Sequence, residues 1–111
     1  MMNLNLAVLA GRLAAPPELR SFESGSRLYR YLVTVRSESP HPRVDVVPVT
    51  QWDPDASLVE NPPEPGTRVW VAGSVQRRFW TQEAGRRSRL EVVASDVQIR
   101  DEEDAGLDSR P

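Results

Sequence analysis

Residues 67–99 read TRVWVAGSVQRRFWTQEAGRRSRLEVVASDVQI, and this stretch decides the fold. Apolar and polar residues alternate along two runs, which are separated by a polar connection that contains Gly85. Alternation with a period of two is typical of strands with one buried face. The stretch therefore predicts a hairpin of two strands, over residues 67–78 and 89–100, with a loop through residues 81–88. Arg77, Arg78 and Trp80 stand where the first strand ends.

The rest of the chain predicts three more main strands and little helix. A strand of about ten residues begins near Leu4, and two others cover residues 29–36 and 44–52. A short strand over residues 18–22 leads into a turn at residues 23–26. Four prolines between residues 53 and 66 leave room for at most two helical turns, around residues 55–60. Five main strands with unequal loops predict an all-β, closed Greek-key barrel, in which Gly11 marks a bulge or a sharp bend.

The alternation also assigns the two faces of each strand. In the second main strand the core face carries Tyr29, Tyr31, Val33 and Val35, and the opposite face carries Arg30, Leu32, Thr34 and Arg36. In the fourth main strand the core face carries Val69, Val71, Gly73 and Val75, and the opposite face ends in Gln76, Arg78 and Trp80. Arginines and an indole are therefore expected together on the outside of the barrel.

The charge of the chain is unevenly distributed. The formal net charge of the 111 residues is −2 at pH 7. Residues 1–100 contain thirteen arginines and eleven acidic residues, whereas residues 101–111 contain one arginine and five acidic residues. The sequence thus predicts one mildly basic domain over residues 1–100 and a disordered acidic tail over residues 101–111.

Composition argues against catalysis and against a membrane. The chain has no cysteine and only one histidine, His41, so neither a zinc site nor a Ser-His-Asp triad is expected. Asp53 and Asp55 form the nearest approach to a carboxylate pair, without the spacing of a metal site. No apolar run approaches the roughly 20 residues of a membrane span. We expect a cytoplasmic protein that has no cofactor, binds no metal and is not an enzyme.

The candidate binding residues each allow two interpretations. Trp80 either offers a stacking platform to an unpaired base, with Arg78 and Arg77 beside it, or packs across the hairpin beneath Arg86 or Arg87. Trp52 is either a second platform or a cover for the core. The face with Arg30, Thr34 and Arg36 either carries ligand or is a solvated charged surface. Arg12 and Arg20 lie at strand ends or in loops that can extend a track of phosphate contacts. For Trp70 the sequence favours packing or subunit contact.

Four segments in order carry a family resemblance. They read LAVLAGRLAAPPELRSFESG, YLVTVRSES, VDVVPVTQW and the hairpin stretch quoted above. Together they resemble the bacterial single-stranded DNA-binding protein family over residues 4–100. Several spaced motifs in the right order are far more specific than any one of them.

The resemblance implies an OB-fold that assembles as a homotetramer, is nucleoid-associated and binds single strands without sequence preference in replication, repair and recombination. It places the family's hairpin tryptophan at Trp80, a basic position at Arg78 and the aromatic that closes the third main strand at Trp52. It also places family positions at Arg12 and Arg20.

This chain departs from the family pattern at several positions. Pro40 and Val46 stand where many members have tryptophan, and the acidic end lacks the terminal apolar pair of the family's tip, so recruitment of repair enzymes through that tip is not expected. These departures keep a second hypothesis open, a dimeric OB-fold adaptor of the primosome type that contacts proteins and binds DNA weakly.

Overall fold

Five long strands form the barrel in a computed structural model that describes residues 2–100. In chain order the elements are β1 (Ala7–Leu13), β2 (Glu18–Ser21), β3 (Arg27–Ser37), β4 (Arg43–Trp52), α1 (Ala56–Glu60), β5 (Arg68–Gln82) and β6 (Gly85–Arg100). The prediction of short β2 and of a helix limited to one or two turns is confirmed. The predicted acidic tail lies outside the described residues.

The strands close on themselves in a non-sequential order. β1 pairs with β5, β5 with β6, β4 with β3, and β3 returns to β1, all antiparallel. A short parallel pairing of β4 with β6 closes the barrel; in it Val49 pairs with Val92 and Thr50 pairs with Val93. This is the connectivity of a Greek-key barrel, as the sequence predicts. β2 pairs with the first part of β3 and widens the sheet there.

The core lies on the faces that the alternation predicts. Its buried members include Tyr29, Tyr31, Val33, Val49, Val69 and Val71. The hydroxyl groups of both tyrosines are satisfied, because Tyr29 donates to the Leu58 carbonyl at 2.7 Å and Tyr31 donates to Gln51 Oε1 at 2.7 Å. Leu58 also packs against the core, so α1 covers one end of the barrel.

Two expectations for the first half of the chain need correction. β1 begins at Ala7 rather than near Leu4, and Asn5 contacts β5 through its side-chain amide instead of through the ladder. Of the two alternatives predicted at Gly11, a bulge or a sharp bend, the bulge is excluded, since the pairing of Gly11 with Val69 is in regular register. A Cβ atom at Gly11 would lie 2.1 Å from the Thr34 carbonyl oxygen, so the glycine permits a close approach of β1 and β3. The irregularity of the sheet lies instead between β5 and β6, at Ala72 and Gly73.

The hairpin of β5 and β6 is longer than predicted. Its ladder runs without a break from Gly73 to Gln82, which pairs with Gly85, so only Glu83 and Ala84 form the turn. Gly85 has a φ of 120°, a conformation that glycine adopts readily and that permits so tight a turn. Within residues 2–100 the segments 76–82 and 85–91 pair only with each other. The hairpin extends past the core, which explains why Val75, predicted to be buried, is 39% exposed.

Candidate nucleic-acid interface

The front face of the hairpin carries Gln76, Arg78, Trp80, Arg87, Arg89 and Glu91. Cross-strand partners share a face of a sheet, and the register pairs Arg78 with Arg89 and Trp80 with Arg87. The guanidinium carbon of Arg89 lies 5.9 Å from the Trp80 ring centroid. Arg89, and not the predicted Arg86 or Arg87, therefore stacks at the indole.

A cavity of about 300 Å³ opens beside this indole; we call it the Trp80 cavity. Its lining residues come from β2, β3, β5 and β6, and every one is arginine or tryptophan. They are Arg20, Arg30, Arg78, Trp80 and Arg89. Four arginines make this cavity positive and the indole gives it a flat apolar surface, a combination that suits a phosphate and a base together.

A second cavity, of about 280 Å³, has Trp52 in its wall; we call it the Trp52 cavity. Trp52 is 47% exposed and its ring centroid lies 5.7 Å from that of Phe22, with the rings tilted by 32°. The tryptophan is thus partly open to solvent and is not one of the residues that form or cover the buried core. Arg30 and Arg78 line both this cavity and the Trp80 cavity, so the two form one continuous basic surface.

The backbone after β4 fixes the position of Trp52. Trp52 pairs with Leu28 at the end of the ladder with β3. The next residue, Asp53, donates its N–H to the Arg27 carbonyl at 2.8 Å and has a φ of 52°. Aspartate tolerates this left-handed conformation better than most residues. Asp53 is therefore explained as the residue that turns the chain away from the sheet.

The wall of the Trp52 cavity also contains a buried carboxylate that the residue pattern did not indicate. Glu91 lines this cavity and is 7% exposed, and its Oε1 has no hydrogen-bond partner among the described residues. The Arg30 Nε atom, in the same cavity, is also buried without a partner. Such groups are rare in folded proteins, and here both occur in the wall of a candidate binding site.

Arg77 is directed away from the front face. It pairs with Leu90, and its Nη1 donates to Ser88 Oγ at 3.1 Å on the opposite side of the hairpin. Although Arg77 borders the Trp52 cavity, its guanidinium is therefore not beside Trp80, contrary to the prediction.

Three predicted residues meet in a different place. Arg12, Thr34 and Arg36 line a cavity of about 470 Å³, which we call the Trp70 cavity because Trp70 also lines it, together with Arg68 and three smaller residues. Arg12 Nη1 donates to the Gly66 carbonyl at 2.9 Å, and Thr34 Oγ1 donates to the Arg12 carbonyl at 3.0 Å. This cavity shares no lining residue with the Trp80 cavity. The structure thus divides the nine predicted residues between two surfaces.

Sequence reasoning missed Phe22, Arg89 and Glu91. Arg89 and Glu91 follow from Arg78 and Gln76 once the turn is placed at residues 83 and 84, because register then sets them opposite. The position of Phe22 is set by the turn after β2, where its N–H donates to the Ser26 carbonyl at 2.9 Å. Its stacking on Trp52 joins residues 30 apart and had no local signal.

Two observations concern other kinds of site. Residues 2–100 hold no group of three or more His, Cys, Asp or Glu side chains that is placed to bind a metal ion. In the same residues no helix has the length and apolar character needed to cross a bilayer.

A closed five-stranded barrel that carries arginines and exposed aromatic rings on one side defines the class of OB-fold proteins that bind single strands. The model of the single-strand binding protein family matches residues 4–100, and the chain belongs to this family. The predicted family resemblance is confirmed.

Individual relatives agree with this assignment. The single-stranded DNA-binding protein 1 of Nostoc sp. is 30% identical over 80 residues, which are 72% of this chain and 67% of that protein. The single-stranded DNA-binding protein of Caldanaerobacter subterraneus is 32% identical over 101 residues, a match that covers 86% of this chain and 67% of that protein. The single-stranded DNA-binding protein of Treponema pallidum is 30% identical over 104 residues, a match that covers 89% of this chain and 59% of that protein.

A solved structure confirms the fold. The structure described as the Plasmodium falciparum SSB complex with ssDNA superposes with a TM-score of 0.77 at 20% sequence identity. The match covers 91% of this chain and 98% of that chain. The OB-fold prediction is thus confirmed.

Proposed function

We propose that this protein is a non-catalytic binder of single-stranded DNA that stacks bases on Trp80 and Trp52 and holds phosphates with the arginines around them. Family membership supports the activity. The Trp80 cavity supports the choice of binding residues, because its wall consists of four arginines and one tryptophan. The family is one of binding proteins, and the absence of catalysis in this chain is part of the proposal.

The chemistry of the two cavities favours binding without sequence preference. Each base stacked on an aromatic side chain contributes roughly 1–3 kcal/mol, whatever the base, because every base has a π-face. Arg30 and Arg78 border both cavities, so one strand can place successive bases on Trp80 and Trp52 while its phosphates meet the same arginines. Duplex DNA has no exposed base faces and would gain only the phosphate contacts.

The test is a titration of labelled oligo-dT, followed by anisotropy at several salt concentrations. We expect affinity to fall with salt, with a log–log slope of about −0.7 for each phosphate contact. Trp80→Ala should weaken binding at least fivefold, since one stacked base contributes about 1 kcal/mol or more. Trp80→Phe, which keeps a π-face, should recover most of the loss. Unchanged affinity of Trp80→Ala, with an unchanged melting temperature, would remove Trp80 from the site.

We propose Arg12, Thr34 and Arg36, in the Trp70 cavity, as an extension of the phosphate track. Their support is the positive character of that cavity, where Arg68 adds a third guanidinium. Arg36→Gln should then weaken binding of long oligomers more than binding of short ones, and an equal effect at both lengths would contradict the extension.

We propose that the protein acts as a homo-oligomer, a tetramer with the dimer as the alternative. The support is the outer edge of β1. Residues 7–11 pair with β5 on one side, and β3 reaches only Arg12 and Leu13 on the other side within residues 2–100. Leu4, Leu6 and Val8 beside this edge are exposed. Light scattering of the pure protein distinguishes tetramer, dimer and monomer.

The cellular role is proposed from the family alone. It comprises replication, repair and recombination of DNA in the cytoplasm, at the nucleoid. The division into a binding domain over residues 1–100 and a tail is likewise a proposal, supported by the family match that ends at residue 100.

The second candidate function is the OB-fold adaptor that mainly contacts proteins. It is favoured by Pro40 and Val46, which stand where many family members have tryptophan, and Val46 is more than half exposed on β4. Filter binding at low salt decides between the two functions. Retention of single strands supports the DNA binder, and negligible retention supports the adaptor.

A further inference from the structure

The hairpin has a second exposed side, which we call its reverse face. It is formed by the residues that alternate with those of the front face, namely Val75, Arg77, Phe79, Thr81, Arg86, Ser88 and Leu90. Phe79 is 52% exposed and Leu90 is 53% exposed. Neither residue belongs to the core or packs against it, because the hairpin has passed the end of the barrel at this point.

An exposed aromatic ring between two guanidinium groups is the central feature of this face. The guanidinium carbon of Arg86 lies 4.4 Å from the Phe79 ring centroid, a cation–π contact. Arg77 is held across the hairpin by its hydrogen bond to Ser88, the residue that pairs with Phe79. One ring therefore has a cation stacked on it and a second cation at the neighbouring cross-strand position.

This arrangement repeats the chemistry of the front face. There Arg89 lies 5.9 Å from the Trp80 ring centroid and Arg78 pairs with Arg89. On both faces an aromatic ring is combined with two arginines. The side chains of the reverse face are apolar, hydroxyl-bearing or basic, whereas the front face includes the acid Glu91. The complementary partner of such a face is a polyanion with flat apolar groups.

We propose that the reverse face is a second stacking site for single-stranded nucleic acid, with Phe79 as its platform and Arg77 and Arg86 as its phosphate contacts. The inference rests on the proposed function and extends it to Phe79 and Arg86, which line neither front cavity, whereas Arg77 also borders the Trp52 cavity. Phe79 and Trp80 are neighbours in β5, so their rings project from opposite sides of one two-stranded ribbon. A strand bound at Trp80 reaches Phe79 by passing around the ribbon, which requires a longer strand than the front face alone.

The experiment compares a short and a long oligo-dT on the full chain. The short oligomer is the shortest oligo-dT for which Trp80→Ala shows its full loss of affinity relative to wild type. The long oligomer is several times that length. Phe79→Leu keeps an apolar side chain of similar size but removes the π-face, and Phe79→Tyr keeps the π-face. We expect Phe79→Leu to weaken binding of the long oligomer at least fivefold, to shorten the length of strand that each chain occludes, and to leave the short oligomer unaffected within twofold. Phe79→Tyr should behave as wild type on both.

A direct readout accompanies the affinities. The double variant Phe79→Trp, Trp80→Phe carries an indole on the reverse face, and the single variant Trp80→Phe is its reference because Trp52 and Trp70 fluoresce in both. When the long oligomer replaces the short one at saturation, the double variant should show additional quenching that the reference lacks. Because Phe79 is exposed, these substitutions should leave the melting temperature unchanged.

The outcomes separate this inference from the proposed function. If Trp80→Ala weakens binding but Phe79→Leu binds the long oligomer with wild-type affinity and occluded length, the reverse face does not bind nucleic acid, while the proposed function stands. If Phe79→Leu weakens the short and long oligomers equally, the ring belongs to the front site and a separate second site is excluded. If wild-type protein binds neither oligomer, both proposals fail together.

Discussion

Asn5 forms two hydrogen bonds with the backbone of Val75, although β1 begins two residues later. The Val75 N–H donates to Asn5 Oδ1 at 2.8 Å, and Asn5 Nδ2 donates to the Val75 carbonyl at 2.7 Å. A single amide side chain thus reproduces the pair of bonds that a backbone residue makes in an antiparallel ladder. It secures β5 at the point where the hairpin leaves the barrel.

Asn5→Ala should lower the free energy of unfolding by about 1–2 kcal/mol, because each of the two hydrogen bonds contributes roughly 0.5–1.5 kcal/mol. Urea denaturation measures the loss. Asn3→Ala is the matched control, since Asn3 is also exposed near the chain start and should change stability by less than about 0.5 kcal/mol. Equal effects of the two substitutions would show that the contact with Val75 does not stabilise the fold.

Stability should fall above about pH 10 because of Tyr31. Burial raises the pKa of Tyr31 well above its ordinary value near 10, and Tyr29 and the charge of Asp55 raise it further. At pH 11 the unfolded chain has lost the Tyr31 proton while the folded chain keeps it, so unfolding releases a proton and stability decreases with pH.

Urea denaturation at pH 8 and pH 11 measures this effect. Tyr31→Phe should cost about 1 kcal/mol at pH 8, where it removes the hydrogen bond to Gln51, and should show a smaller loss between the two pH values than wild type. Part of the loss should persist, because burial also raises the pKa of Tyr29. An undiminished loss in Tyr31→Phe would assign the alkaline instability to other groups.

Glu91→Gln should tighten binding of single strands about fivefold. The carboxylate lies in the wall of the Trp52 cavity, where a phosphate about 4 Å away would be repelled by roughly 1 kcal/mol even at the dielectric constant of water. The gain should diminish at high salt. Glu83→Gln, at the hairpin turn, makes the same change of charge outside the cavity and serves as control. Tighter binding by both variants to the same degree would indicate an effect of net charge alone.

Gly11→Ala should destabilise the barrel by about 1–3 kcal/mol, the usual cost of forcing extra atoms into a packed site. The added Cβ would meet the Thr34 carbonyl oxygen at 2.1 Å, and a backbone atom cannot move aside as a side chain can. Gly25→Ala is the comparison, since Gly25 has open space around it and a φ of 93°, so that its substitution introduces backbone strain without a clash. Thermal melting distinguishes the two variants, and a melting temperature of Gly11→Ala equal to that of wild type would show that β1 and β3 separate at no cost.

The alternation of residue types predicted most of the fold, because a strand with one buried face has apolar residues at every second position. Tyr29, Tyr31, Val69 and Val71 are buried where that alternation places them. The same parity separates Arg77 from Arg78 and Trp80, and their separation in the structure follows from it. The prediction that Arg77 lies near Trp80 used proximity along the chain and neglected this parity.

What the sequence did not reveal depends on contacts between distant segments. The length of the hairpin depends on the backbone conformation of Gly85, and the start of β1 depends on a side chain that bonds 70 residues away. Likewise, Arg30 and Arg36 share a face of β3 but stand six residues apart, roughly 20 Å along a strand, and other strands complete a different cavity around each of them.

The parallel seam between β4 and β6, only two residue pairs wide, has a consequence for ligand linkage. Trp52 and Phe22 stand on one side of it and Arg78 and Trp80 on the other, so an opened seam would divide the binding surface into halves. A DNA strand that engages both halves would hold this short pairing of β4 with β6 closed. DNA binding and thermal stability are then coupled, and saturation with DNA should raise the temperature at which the whole domain melts.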